Sequence, residues 1–230
     1  RDFLSRFPLA AWPDMPLERY AIGQENSENT FCRWVEFATP HLGSMRGGSS
    51  RKLIIYWQKD KKSWWFTRAY KNENDAWSTL RSTFCRAFQL VEDDAWDEID
   101  SLTQPVIGPL LLLKTLHLYF PTKVLSVYSQ EHLRHFLREL GEPATESNSL
   151  GAVALNQALL AVLRKNPILA QWTTTEIARF LYRWADPREQ VGVFKIAPGE
   201  EGKYWDDCRD GQYICVGWDE MGDLREFESR

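Results

Sequence analysis

The stretch LIIYWQKDKKSWWFTR, residues 53–68, lies between segments whose apolar residues have the spacing of helices. β-Branched and aromatic residues dominate 53–57 and 64–68, and the polar, lysine-rich run QKDKKS joins them. Two runs of this kind favour strands, and the short polar connection favours an antiparallel β-hairpin. The sequence therefore predicts an α+β fold, in which one hairpin lies within a mostly helical domain.

Helices are predicted on both sides of the hairpin, because apolar residues recur there at intervals of three and four. In the run TFCRWVEFAT before the hairpin, Asn29 or Thr30 is suited to cap the helix, and Ser129 is suited to cap the helix QEHLRHFLREL. Residues 1–24 are expected to form a proline-punctuated lead-in with one short helix. The predicted helices are 30–39, 73–90, 109–120, 130–140, 152–165 and 175–184.

Residues 189–230 are predicted to begin a second domain that they do not complete. The helical pattern ends at 186–188, which places the boundary after a first domain at 1–188. Beyond it, a strand-like run, a Pro-Gly turn, a short amphipathic helix and the apolar strand 213–218 make a β-α-β opening. Such a unit leaves a sheet face uncovered, so we expect it to be the truncated start of a larger sheet.

Charge is distributed unevenly along the chain, although the net charge is only −4. Residues 33–71 hold nine basic and two acidic residues, whereas six of the nine residues in 92–100 are acidic. Residues 191–230 hold five basic and ten acidic residues. Screening limits charge effects to about 8–10 Å, so a polyanion responds to a local stripe and not to the net charge. The basic stripe at 33–71 is therefore the predicted contact for a polyanion.

Composition gives no indication of a membrane or of an oxidising compartment. No run approaches the roughly 20 apolar residues that a membrane helix needs, so no membrane partner is predicted. The four cysteines lie far apart and none has CxxC spacing. This pattern predicts neither structural zinc nor a disulfide framework, and it favours the reducing cytoplasm.

The Gly/Ser loop before the hairpin is the predicted cradle for an anion. Successive glycines allow a backbone to direct several N–H groups at one anion, and serine hydroxyls add donors. Basic side chains flank both ends of the loop. The predicted nucleic-acid contacts here are Arg46, Ser49, Ser50, Arg51 and Lys52. The alternative is a solvent-exposed turn in which the glycines only reverse the chain.

The tip of the hairpin extends the same basic surface. Lys59, Lys61 and Lys62 lie in its turn, and hairpins with basic tips and aromatic strands can follow a phosphate backbone or enter a groove. Trp64 and Trp65 are adjacent, so in a strand they lie on opposite faces. One is expected in the core and the other at a stacking surface or interface, and the prediction names Trp64 as the nucleic-acid contact.

The helix predicted at 130–140 is strongly amphipathic. Arg134 and Arg138 lie one turn apart, away from its apolar face, and are predicted to be secondary phosphate contacts. The residues expected to be buried are Leu133, Phe136, Leu137 and Leu140.

No catalytic or metal centre is predicted. The phosphate-binding pattern GxxxxGK[ST] is absent, so this piece is not expected to hydrolyse nucleotides. The carboxylates of 92–100 have the density of a solvated face, which is the favoured alternative to a metal site. His132 and His135 have i, i+3 spacing, but no third ligand is evident near them. We therefore expect no catalytic residue, no cofactor and no metal.

Three stretches of the chain resemble one family. The IAPG, YW and GWDE-GDL elements of the tail resemble the start of EVE-like (YTH-related) domains in bacterial McrB-like restriction proteins. LGSMRGGSSRKLIIYW and YFPTKVLSVYSQEHLRHFL are similar to elements at the head of such proteins. The resemblance implies a modified-base pocket with Trp205 and Trp218 as candidate walls, although core packing is the alternative for each ring.

The same resemblance implies which domains and subunits act together with this chain. It implies an AAA+ GTPase motor domain in the same parent chain, a separate nuclease subunit and an antiviral role in the bacterial cytoplasm. Two functional hypotheses follow. One is a non-catalytic specificity module that reads modified or structured DNA, and the other is an assembly module that docks onto another subunit or motor domain without contacting DNA.

Overall fold

Helices connected by short turns account for most of the chain in the computed structural model, which describes residues 2–25, 27–45, 47–103, 106–142, 149–189 and 202–211. The chain divides into two compact units, 1–188 and 189–230. The first unit is mostly helical with one two-stranded antiparallel hairpin, which confirms the predicted α+β class. The helices of the first unit are α1 Asp2–Arg6, α2 Leu17–Tyr20, α3 Phe31–Arg33, α4 Glu73–Glu92, α5 Ile99–Thr103, α6 Pro109–Tyr119, α7 Gln130–Glu139, α8 Ala152–Arg164 and α9 Thr174–Trp184.

The hairpin pairs β1, Ile55–Gln58, with β2, Ser63–Phe66, in the register Tyr56↔Trp65 and Trp57↔Trp64. The strands are shorter than predicted because Leu53 ends a 3-10 helix, Ser50–Leu53. Ile54 follows it with a φ of 71°, an unfavourable conformation for a β-branched residue, and this reverses the chain into β1.

Several predicted capping residues form the expected bonds. The side chain of Thr30 accepts from the Arg33 N–H, and that of Ser129 accepts from the His132 N–H. The helix that begins at α3 continues as a π-helical segment, Trp34–Ala38, so the predicted helix at 30–39 is confirmed with a wider final turn.

One helix cap comes from the acidic stretch that the sequence assigns to a solvated face. The carboxylate of Asp100 accepts from the N–H groups of Val153 and Ala154 at 3.1 and 2.9 Å. A residue distant in sequence thereby supplies acceptors for two N–H groups in the first turn of α8. Gly151 leaves the space for this contact, because a Cβ there would lie 2.2 Å from the carboxyl carbon.

The centre of the core is built around Trp12, which is fully buried. Its ring lies 4.9–5.2 Å from the rings of Phe31, Phe84 and Phe88. The Trp12 indole N–H donates to the hydroxyl of Tyr119 at 2.7 Å, and that hydroxyl donates to the Phe7 carbonyl at 2.8 Å. The predicted lead-in thus contributes residues to the core, and the short helix expected within it is α2, Leu17–Tyr20.

A buried amide fixes the extended segment between α6 and α7. Asn156 of α8 is fully buried and accepts from the Leu125 N–H at 2.9 Å. Its amide donates to the carbonyls of Leu125 and Val127, both at 3.1 Å. The side chain therefore replaces the backbone partners that a strand would have supplied.

A buried ammonium holds the turn that follows the π-helical segment. Lys114 of α6 is fully buried and donates to the carbonyls of Thr39, Leu42 and Gly43 at 2.8, 3.2 and 2.6 Å. Burial lowers the pKa of Lys114 to about 7. Gly43 has a φ of 94°, and a Cβ there would lie 2.6 Å from the Tyr128 ring. The turn at 39–43 thus depends on both Lys114 and Gly43.

The second unit is described over 202–211 and contains the helix α10, Trp205–Gly211. This agrees with the short helix expected in the β-α-β opening. The predicted strand 213–218 lies outside the described residues.

Candidate nucleic-acid interface

The hairpin has an inner face that packs against the core. Because side chains alternate along a strand, Ile55 and Trp57 of β1 share this face with Trp64 and Phe66 of β2. Ile55 is fully buried, and Trp64 and Phe66 pack against the core. The rings of Trp57 and Trp64 meet edge to face at 5.2 Å. Helix α4 contacts both strands.

This placement changes the predicted set of contacts. The sequence names Trp64 as a nucleic-acid contact, whereas the structure gives Trp64 a packing role on the inner face. Trp65 lies on the outer face, as the residue next to an inner one must. Trp65 therefore replaces Trp64 as the candidate stacking residue.

The outer face carries a stack of three side chains, Arg51, Tyr56 and Trp65. Tyr56 and Trp65 are direct partners across the hairpin, and their rings stack at 5.1 Å with an interplanar angle of 21°. The guanidinium of Arg51 lies over the Trp65 ring at 5.5 Å. Both rings are half-buried and Arg51 is exposed. This outer-face stack offers a flat aromatic surface with a cation at its edge.

The hairpin tip carries the three predicted lysines. Lys59, Lys61 and Lys62 are all exposed, in the four-residue connection between the strands. Lys62 has a φ of 50°, the left-handed conformation that closes a tight hairpin. The only acidic residue in this connection is Asp60. The tip lies on the same hairpin as Tyr56 and Trp65 of the outer-face stack.

Lys52 ties the Gly/Ser loop to the helical region. Its ammonium donates to the Glu36 carboxylate at 2.6 Å and to the carbonyls of Met45 and Gly47 at 2.7 and 2.6 Å. These three bonds use all the donors of an ammonium group. Glu36 is buried, so a phosphate contact by Lys52 would leave its carboxylate without this cation. The structure therefore gives Lys52 a role within the loop, and we exclude it from the interface.

Three predicted loop contacts remain: Ser49 and Ser50 lie within the described residues, and Arg46 does not. Ser49 caps the 3-10 helix that precedes the hairpin, because its hydroxyl accepts from the Arg51 N–H at 3.2 Å. Ser49 is exposed and Ser50 is half-buried. Arg46 lies outside the described residues, so its predicted role stays a prediction.

Helix α7 is docked as predicted. Leu133, Phe136 and Leu137 are buried and Leu140 packs against the core, which confirms the apolar face. Its two predicted phosphate contacts, Arg134 and Arg138, differ in exposure and in hydrogen-bond partner.

Arg134 is half-buried and donates to the Leu150 carbonyl at 3.2 Å, whereas Arg138 is exposed and donates to the Nδ1 atom of His135 at 3.1 Å. His135 contacts the Ala185 carbonyl through Nε2 at 3.0 Å. His132 contacts the Tyr182 hydroxyl at 2.8 Å, and burial, followed by the charge of Arg188, lowers the pKa of His132. Arg138 is thus the better placed of the two predicted phosphate contacts.

The resemblance implies a modified-base pocket with two candidate wall residues, of which the described residues include one, Trp205. Trp205 begins α10 and is 53% exposed. Trp218, the other candidate wall, lies outside the described residues. Both assignments stay predictions.

Within the described part of the chain, no three His, Cys, Asp or Glu side chains are grouped so that they can hold a metal ion. No helix within those residues has the length and apolar character needed to span a bilayer.

Comparison with known proteins gives no match to a family model, to a curated protein or to a solved structure. The resemblance to McrB-like proteins accordingly rests on the motifs quoted above.

Sequence reasoning missed Tyr56 and Trp65 as members of one surface. The strand alternation that separates Trp64 from Trp65 is visible in the sequence, but it does not say which of the two faces the core. The direct pairing of Tyr56 with Trp65 depends on the hairpin register, which the structure supplies.

Proposed function

We propose that the first unit is a non-catalytic nucleic-acid-binding module that recognises modified or structured DNA within a McrB-like restriction protein. In this proposal the AAA+ motor domain of the parent chain and a separate nuclease subunit perform the chemistry. The observation that carries the proposal is the combination of the outer-face stack with the lysines of the hairpin tip on one element. The motif resemblance supplies the restriction context.

The two parts of the hairpin suit different parts of a nucleic acid. Lysine ammonium groups suit phosphates, which set position and affinity but carry no sequence information. The stacked rings of Tyr56 and Trp65 suit a base that is unstacked from its neighbours, because every base has a flat face. A two-stranded ribbon also fits the major groove of duplex DNA, which is about 12 Å wide. Structured or locally opened DNA offers phosphates and unstacked bases together.

Removing two lysines from the tip should reduce the salt dependence of binding. If Lys59 and Lys61 each contact one phosphate, the double change Lys59→Gln and Lys61→Gln should lower the slope of log affinity against log salt by about 1.8 units. Fluorescence anisotropy of a labelled duplex over a salt series measures this slope. The matched control is the change of two other exposed lysines, Lys165→Gln and Lys203→Gln, which should leave the slope unchanged.

Removing the stacking ring should weaken binding at every salt concentration. Trp65→Ala is expected to cost about 1–3 kcal/mol of binding free energy, or roughly 5- to 150-fold in affinity, most strongly for oligonucleotides with unpaired bases. Trp184→Ala, which removes a ring 45% exposed on α9, is the matched control and should leave affinity unchanged. Methylated and unmodified duplexes of one sequence, measured in parallel, test recognition of a modified base. Unchanged affinity and slope in both hairpin variants would refute the proposal and favour the assembly role.

A further inference from the structure

A groove runs between α9 and the turn at 39–43. It has a volume of about 920 Å³, and Pro40, His41, Gly43 and Ser126 line one side. The opposite side is formed by α9 and by Trp172. Because Lys114 holds the turn through three carbonyls, the first wall is fixed by the core.

The cationic residues lining this groove are three arginines, Arg179, Arg183 and Arg188, and a single acidic residue, Glu176, lies with them. Glu176 is engaged in a capping box, in which its carboxylate accepts from the backbone N–H and hydroxyl of Thr173 at 2.7 and 2.8 Å. Arg188 forms an ion pair with Asp186. Arg179 and Arg183 are exposed along α9 and make this arginine groove electropositive.

Exposed apolar side chains lie on α9 and on the segment that precedes it. Trp172 is 36% exposed, Trp184 is 45% exposed and Ile168 is 63% exposed. The ring of Phe180 stacks parallel to Trp184 at 6.1 Å and meets Trp172 edge to face at 6.0 Å. Large apolar groups that remain exposed together are typical of an interaction surface.

The composition of the arginine groove indicates a protein partner. Protein interfaces are enriched in tryptophan, phenylalanine, tyrosine and arginine and depleted in lysine. The residues that line the groove include these four types and no lysine, whereas all the basic residues at the hairpin tip are lysines. The partner surface should therefore carry carboxylates and an apolar group.

The same chain displays a surface of that kind at residues 92–98. The side chains of Glu92, Asp93, Asp97 and Glu98 are exposed there, and Trp96 between them in sequence is half-buried and packs partly against the core. The carboxylate of Asp94 accepts from the Trp96 indole N–H at 2.9 Å and from Lys123 at 3.1 Å. Asp94 itself has a φ of 60°, which turns the chain sharply between the carboxylates on its two sides.

We propose that the arginine groove of one molecule receives the acidic segment 92–98 of a second copy of this chain. The pairing places carboxylates beside Arg179 and Arg183, and Trp96 beside the exposed rings of α9. Because the two surfaces differ, the contact is head to tail and can add further copies. A contact limited to one groove and one short segment belongs to the weak, transient class, so association should depend on concentration and salt.

The test is the mass of the protein in solution, measured by sedimentation at increasing concentration and at low and high salt. A contact with a dissociation constant of about 1 mM is half-occupied when the protein is at about 1 mM. We expect the average mass to rise above the 26.9 kDa of one chain at low salt and to fall back at high salt.

Charge reversal separates this contact from other forms of association. A groove variant, Arg179→Glu with Arg183→Glu, and a segment variant, Asp93→Lys with Asp97→Lys, should each remain monomeric. An equimolar mixture of the two should associate again, because each surface then meets its opposite charge. A tip variant, Lys59→Glu with Lys61→Glu, is the control and should associate like the unchanged protein.

Three results would overturn the proposal. They are a monomeric mass at every concentration, association that both charge-reversed variants retain, and failure of the mixture to associate when circular dichroism shows both variants folded. Loss of nucleic-acid binding by the groove variant with no change in mass would assign the groove to nucleic acid. The proposed hairpin function is independent, since it fails only if the hairpin variants bind DNA normally.

Discussion

Replacing Asn156 by leucine is expected to lower the free energy of unfolding by about 4 kcal/mol. The change leaves the N–H of Leu125 and the carbonyls of Leu125 and Val127 without their buried partner, and each such loss costs about 1–3 kcal/mol. Leucine has the same number of side-chain heavy atoms as asparagine and the same branching, so a cavity does not contribute. Urea unfolding measures the effect as a lower midpoint at constant slope.

The neighbouring residue provides the control. Gln157 is half-buried and donates one bond, to the Lys123 carbonyl at 2.9 Å. Gln157→Leu should cost about 1 kcal/mol, since a typical hydrogen bond contributes that much net. Equal losses of unfolding free energy in the two variants would show that the three bonds of Asn156 do not fix the segment at 124–128.

Raising the pH from 7 to 8.5 is expected to stabilise the fold by up to about 2 kcal/mol through Lys114. Burial lowers the pKa of Lys114 to about 7 in the folded protein, while the unfolded chain has the ordinary value of 10.5. Between these values the unfolded chain binds more protons, so stability rises with pH. Stopping at pH 8.5 keeps the measurement below the ordinary pKa of tyrosine. Burial raises the pKa of the Cys32 and Cys85 thiols, so these groups oppose the rise and do not cause it.

Lys114→Met removes the titrating group and should abolish this rise. His117 lies one turn further along α6, and burial lowers its pKa to about 4, so it is neutral in the folded protein throughout the range. The comparison is between the slopes of unfolding free energy against pH for the two proteins. A slope that persists in Lys114→Met would assign the effect to another group.

Local signals in the sequence predicted the helices and the hairpin well. Thr30 and Ser129 form the caps expected of them, and the lysine-rich run does connect two strands. These features depend on residues within a few positions of one another. Propensity, spacing and capping chemistry therefore suffice to predict them.

Contacts between distant parts of the chain account for what the sequence could not predict. Asp100 caps a helix that begins more than fifty residues later, and it was indistinguishable from the solvated carboxylates beside it. Lys52 has the same charge as the lysines of the hairpin tip, but Glu36 and two carbonyls surround it. For the interface, the outcome depended on which face of the hairpin meets the core, which is a property of the assembled fold.

The bond between Trp12 and Tyr119 has a consequence for synthesis on the ribosome. The two residues are 107 positions apart, so the partner of Trp12 emerges long after it. At about 5–20 residues per second, the delay is roughly 5–20 s. During that time Phe3, Phe7 and Trp12, all buried in the finished protein, lack the contacts that Tyr119 of α6 supplies. The nascent chain should therefore be a client of chaperones that bind early apolar segments until α6 has been made.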